Sequence, residues 1–161
     1  GCPHCYRLDP LLEDWHKTIA DDVVFIRMPA VLGPNWELYG KAFYTAELLE
    51  VTDKIHPALF EAIHKDKKKL RNVDDLKALF AKQGVSAEDF DNTFNSFAVN
   101  VKMNNAKQMT RRYAITGVPT IIINGKYSTS GSQAGSNENI IKVMDYLIAR
   151  ERTPVAAASA P

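Results

Sequence analysis

Strand-like sequence is scarce in this chain, and where it falls constrains the fold more than any other feature. One run, Val23-Val24-Phe25-Ile26-Arg27-Met28, is rich in β-branched residues, reads as a strand and stops at Pro29. The next is Thr120-Ile121-Ile122-Ile123, followed by Asn124-Gly125, a strong short-range hairpin signal, with Lys126-Tyr127-Ser128 as the return strand. Between the two, residues 35 to about 113 carry helical spacing almost throughout. Apolar stripes run through Trp36, Tyr39, Phe43, Ala46 and Leu49, then Leu59, Phe60 and Ile63, then Leu76, Leu79 and Phe80 up to Gly84. Ser86 and Asp89 have capping spacing ahead of a helix carrying Phe90, Phe94 and Phe97, and Val101, Met109 and Tyr113 continue onto a last helix before Gly117. These aromatic and methionine positions read as core.

Helices flank this arrangement. Leu8, Leu11, Leu12, Trp15 and Ile19 recur at helical spacing, with a kink expected at Pro10. After a loop over 131–135, Ser136 reads as the N-cap of a helix to about Arg152 that buries Ile140, Ile141, Val143, Met144, Leu147 and Ile148. The layout predicts an α/β domain interrupted by an all-helical subdomain. Its expected boundaries are 1–34 and 114–152 for the α/β domain and 35–113 for the insertion, with 153–161 a flexible tail.

Size and charge exclude other classes. At 161 residues and 45% hydrophobic, the chain can bury one substantial core with a subdomain, but two independent domains would be crowded. Twenty Lys and Arg against 19 Asp and Glu give no overall pull towards nucleic acid or anionic membrane. The basic run over 64–71 reads as a solvated helix end or loop. No apolar stretch approaches the length of a membrane span. The sequence starts without Met inside its most informative motif, so it reads as a processed or trimmed product.

That motif is Cys2-Pro3-His4-Cys5, and it holds the chain's only two cysteines. A disulfide between them closes almost no loop, so a structural staple is a poor explanation. Zinc usually takes four ligands, and His16, His56 and His64 are distant in sequence, so no metal is expected. The expected redox group is the Cys2–Cys5 disulfide itself, with no cofactor. Pro3 suits the first helical position, where its missing N–H has no helical partner. Cys2 then lies where backbone N–H groups and the helix dipole favour a thiolate, and His4 adds to that if protonated or donating nearby. Cys5, one turn in and expected to be less exposed, is the natural resolving thiol. A stabilised thiolate favours the reduced pair, which therefore gives its disulfide away: the pattern predicts an oxidant. Gly117-Val118-Pro119-Thr120 reads either as an ordinary turn into a strand or, if Pro119 is cis, as a loop against the cysteines that offers the Val118 backbone to an extended substrate.

Gly1-Cys2-Pro3-His4-Cys5-Tyr6, Gly117-Val118-Pro119-Thr120, the helical block between them, Asn124-Gly125-Lys126-Tyr127 and the loop over 131–135 together resemble the bacterial periplasmic thiol-disulfide oxidoreductases called DsbA, in the manner of the Pseudomonas proteins. The resemblance implies a thioredoxin-like fold with an inserted all-helical subdomain. It also implies Cys2 as nucleophile within the Pro3-containing motif, Cys5 as buried partner, His4 as the residue tuning the thiolate, and a cis Pro119. Val118 and Thr120 would contribute to substrate contact, and Asp9 stands where relatives often carry a glutamate near the buried cysteine. Members of that family are established oxidants; they act in the periplasm on newly exported cysteine-containing proteins and are reoxidised by a quinone-linked membrane partner, DsbB. They also carry strands ahead of the cysteine motif. Here only Gly1 precedes it, so residues 23–28 are expected to lose a hydrogen-bonding neighbour: either further residues or another chain supply one, or the sequence is a fragment with impaired folding. An isomerase or reductase would use the same cysteines with a less stabilised thiolate. A non-catalytic binding module would carry a sluggish Cys2, and a glutathione-conjugating relative leaves the paired thiols unexplained.

Overall fold

The computed structural model describes residues 1–152; the expected tail, 153–161, lies outside the described residues. In chain order the elements are α1 (Pro3–His16), α2 (Pro34–Leu48), α3 (Thr52–His64), α4 (Val73–Lys82), α5 (Ala87–Phe94), α6 (Phe97–Arg112), β1 (Thr120–Ile123), β2 (Tyr127–Ser130), α7 (Gly131–Ala134) and α8 (Asn137–Arg152). They divide into two compact units, one built from Ile26–Thr116 with Gly1, the other from Cys2–Phe25 and the described chain from Gly117 onwards.

Helices α2–α6 all lie in the first unit. Its main core gathers Ile55, Leu76, Phe80, Phe90 and Phe94, with Phe80 and Phe90 edge-to-face at 4.9 Å between centroids. A second cluster packs Tyr44 of α2 on Val99, Met103 and Ala106 of α6. The two helices approach closely because Gly40 has no side chain: a Cβ there would lie 2.9 Å from Met103 Sδ. Local caps separate the helices. Asn72 and Asp75 form a reciprocal capping box on α4, Ser86 accepts from the Asp89 N–H on α5, and Ser96 from the Val99 N–H on α6. The Ser96 cap corrects one sequence expectation. Phe97 does not extend the Phe90–Phe94 stripe into the core, because it starts a new helix and lies 82% exposed, with Val101 one turn on at 47%. The buried face of α6 is Val99–Met103–Ala106, and Phe97 and Val101 point the other way.

In the second unit α1 packs on α8 through Leu8, Leu12, Trp15, Ile140 and Met144, all buried. Each such side chain contributes about 1.5–3 kcal/mol by leaving water. Trp15 Nε1 donates to Asp145 Oδ1 at 2.7 Å, and Trp15 meets Phe25 edge-to-face, so α1 is held firmly behind its first turn. Strands β1 and β2 form an antiparallel hairpin with Ile121 opposite Thr129 and Ile123 opposite Tyr127. Asn124 and Gly125 both adopt positive φ, 49° and 68°, and the Lys126 N–H donates to the Ile123 carbonyl, the turn this dipeptide favours. Asn124 and Lys126 both reach the Glu151 carboxylate, at 2.5 and 2.6 Å, tying the hairpin to α8. The expected Ser136 cap is present, accepting from the Asn139 N–H, while the expected loop over 131–135 contains the single turn α7, stopped by Gly135 at φ 85°.

The expected strand over 23–28 is not one. Exposure alternates along it as in a strand, with Val24 81% and Ile26 70% exposed, while Val23 and Phe25 pack on the α1–α8 cluster. Among the described residues, however, the sheet consists of β1 and β2 alone. β-branched residues favour an extended backbone, but a strand also needs a neighbour whose N–H and C=O groups complete a ladder.

Candidate active site

The cysteine motif opens α1. Cys2 is the N-cap, in extended conformation at φ −82° and ψ 122°, and Pro3 occupies the first turn as expected. From that cap the Cys2 side chain folds back over the helix end, where Sγ accepts the Cys5 backbone N–H at 3.2 Å. The Cys2 thiol also donates to the Val118 carbonyl at 3.5 Å, joining residues 116 positions apart. Cys2, Cys5 and Val118 are therefore brought together, and the Val118–Pro119 peptide bond is cis. Thr120 begins β1, and its hydroxyl donates to the Gly117 carbonyl at 2.7 Å, closing the turn that presents Val118.

Both cysteines are free thiols, and their exposure reverses the sequence expectation. Cys2 is the buried one, at 6%, whereas Cys5 is only partly buried. The Val118 carbonyl lies against the Cys2 sulfur. Reactivity follows a different logic. Burial pushes the Cys5 thiol well above its ordinary range, and its hydrogen bond to Cys2 and the Cys2 charge push the same way. The Cys2 sulfur faces a backbone N–H at the positive end of a helix whose first turn holds no acidic residue. Of the two sulfurs, Cys2 is the one that receives a backbone N–H at the helix end, and Cys5 is the one that keeps its proton.

The hydrogen bonds of the Cys2 sulfur go to Val118 and Cys5 and not to His4. His4 lies exposed on α1, and its Nδ1 is 2.8 Å from Nη2 of Arg7. Sequence reasoning passed over Arg7, although the His4–Arg7 spacing of three is one that brings helical side chains together. Asp9 is half-buried further along α1.

A family model described as a DSBA-like thioredoxin domain matches residues 11–137. The chain belongs to that DsbA-like family. The thiol:disulfide interchange protein DsbA of Pseudomonas aeruginosa is 43% identical over 152 residues, covering 94% of this chain and 72% of the relative. The protein of the same name from Pseudomonas syringae pv. tomato is 42% identical over 158 residues, covering 98% and 74%. In three dimensions, the crystal structure of Pseudomonas aeruginosa DsbA superposes with a TM-score of 0.90 at 43% identity, over 94% of this chain and 79% of that one. The fold is accordingly the thioredoxin-like fold of DsbA with its helical insertion, as the motifs implied. In this DsbA-like chain no described helix is long and apolar enough to cross a membrane.

Proposed function

We propose that this chain is a disulfide donor: a protein-disulfide oxidoreductase that oxidises cysteine pairs in newly exported proteins of the periplasm. The observation that carries the reading is the asymmetry of the two thiols, Cys2 on a helix-end N–H and Cys5 held protonated. Curated DsbA relatives are named for thiol:disulfide interchange, and their likeness spans nearly the whole chain.

The chemistry follows from the oxidised pair. A substrate thiolate attacks Cys2 Sγ, the Cys2–Cys5 bond breaks, and Cys5 leaves and takes up a proton, giving a mixed disulfide. A second substrate thiolate attacks the substrate sulfur of that bond and displaces the Cys2 thiolate. Two electrons pass from the substrate dithiol to the pair, and a disulfide remains on the substrate. Helix-end stabilisation of the departing Cys2 thiolate, about 0.3–1 kcal/mol at a surface and up to about 2 when partly buried, drives the second step and sets the direction.

Pro3 starts the helix that supplies the N–H. The Val118 carbonyl lies beside Cys2, and the Thr120 hydroxyl closes the turn that carries it. In this reading the Val118 loop is where an extended substrate segment lies, and a DsbB-type membrane partner with a quinone returns the pair to the disulfide.

The test is the equilibrium of Cys2 and Cys5 against graded glutathione buffers, read by alkylation and intact mass, with folding checked on the same sample. A pair that stays reduced until the buffer is strongly oxidising supports a donor. A pair that stays oxidised in a cytosol-like reducing buffer removes that reading and leaves a reductant or an inert disulfide.

A further inference from the structure

The Arg7–His4 contact decides a proton position. A guanidinium has five N–H donors and no acceptor. At 2.8 Å from Arg7 Nη2, His4 Nδ1 must therefore be the acceptor and must keep its lone pair. A protonated ring, or a neutral ring with hydrogen on Nδ1, has no lone pair to offer there. While Arg7 donates to it, Nδ1 carries no hydrogen, and the ring's hydrogen sits on Nε2. The positive charge near the helix cap belongs to Arg7 instead, and a guanidinium keeps its charge throughout the range in which proteins work. Both residues are exposed on the first two turns of α1, where no first-turn carboxylate opposes them.

The sequence motif put both tasks, charge and proton donation, on His4. The structure divides them between two side chains. We propose that Arg7 is a positioning residue for the exchange reaction: it holds His4 as the Nε2–H tautomer and supplies a fixed positive charge on the first two turns of the helix that Cys2 caps. This deepens the disulfide-donor reading and rests on it. Arg7 touches no reacting atom and acts through His4 and through its charge, so the reduced form, which carries the Cys2 thiolate, is the form it favours.

Two readouts test it on the whole chain. The first is the 15N spectrum of the His4 ring in reduced protein at about pH 7. Wild type is expected to show a pyridine-like Nδ1 and a pyrrole-like Nε2, while Arg7→Ala should move both nitrogens towards exchange-averaged values. The second is the glutathione equilibrium. Arg7→Ala should shift it towards the disulfide by about fivefold, the scale of an exposed charge interaction. Arg7→Gln keeps an N–H donor without the charge, so it should retain the tautomer but not the equilibrium. Arg7→Lys should recover most of the equilibrium. A pyrrole-like Nδ1 or a protonated ring in wild type overturns the proposal, as does an Arg7→Ala equilibrium within about twofold of wild type. A wild-type pair that fails to exchange with glutathione defeats the donor reading instead, and the ring spectrum still reports on the Arg7–His4 contact.

Discussion

The cap of α1 and the turn just behind it differ by only three residues, yet they hold two thiols of opposite character. Cys2, on the cap, is buried under the Val118 loop, and its sulfur accepts a backbone N–H. Cys5, inside the turn, is less covered, but burial of its sulfur and the proximity of Cys2 keep its proton on. Side-chain cover alone would nominate Cys5 as the reactive group. The backbone N–H aimed at its sulfur nominates Cys2, because the thiolate is the nucleophile and hydrogen-bond donors favour it.

Removing one thiol at a time breaks the comparison most severely. Cys2→Ser should abolish disulfide donation to a reduced model peptide while leaving the far-ultraviolet circular dichroism unchanged; any residual turnover above the uncatalysed rate contradicts the assignment. Cys5→Ser should also lose turnover, but for a different reason. Offered an oxidised peptide, it should accumulate a stable mixed disulfide through Cys2, visible as a mass adduct on the intact chain. In the reduced wild-type protein, iodoacetamide at neutral pH should modify Cys2 at least about tenfold faster than Cys5; equal rates would erase the distinction.

The smallest effect is on stability against pH. An unfolded Cys5 ionises near 9.0, whereas in the folded protein it ionises higher. Between those two points the unfolded chain has released a proton that the folded chain keeps. The Cys5 contribution is thus complete below about pH 9 and is lost as pH rises, by at most about 1.4 kcal/mol per unit and less where water reaches the thiol. Chemical denaturation of reduced protein between pH 8 and 10 should show this fall, and Cys5→Ser should flatten it.

The same contrast between local and distant causes separates what was legible in the sequence from what was not. Thr120-Ile121-Ile122-Ile123 and the run over 23–28 look alike as β-formers, but only the first is a strand. Its partner lies three residues away across an Asn124–Gly125 turn, so the whole motif is readable at short range. Caps behave in the same way: Ser86 and Ser136 were readable because each bonds an N–H three residues on. Phe97 misled because the Ser96 cap resets the helical phase, and a stripe of phenylalanines carries no mark of that break. Arg7 stands three residues from His4, a spacing visible in the sequence, but which exposed side chains meet is a choice of rotamers that only the folded chain shows.

By itself, the sequence determined the elements whose bonds close within a few residues: the helices and several of their caps, the hairpin, and a cysteine pair at a helix N-terminus with the chemistry that position confers. Only the tertiary structure decided that the Val118 carbonyl covers Cys2 from 116 positions away, that Cys2 rather than Cys5 is the buried thiol, and that 23–28 joins no ladder among the described residues. The physical reason is the range of the interactions. A turn or a cap is selected by its own residues, whereas cover and strand pairing depend on groups that only the folded chain brings within hydrogen-bonding distance.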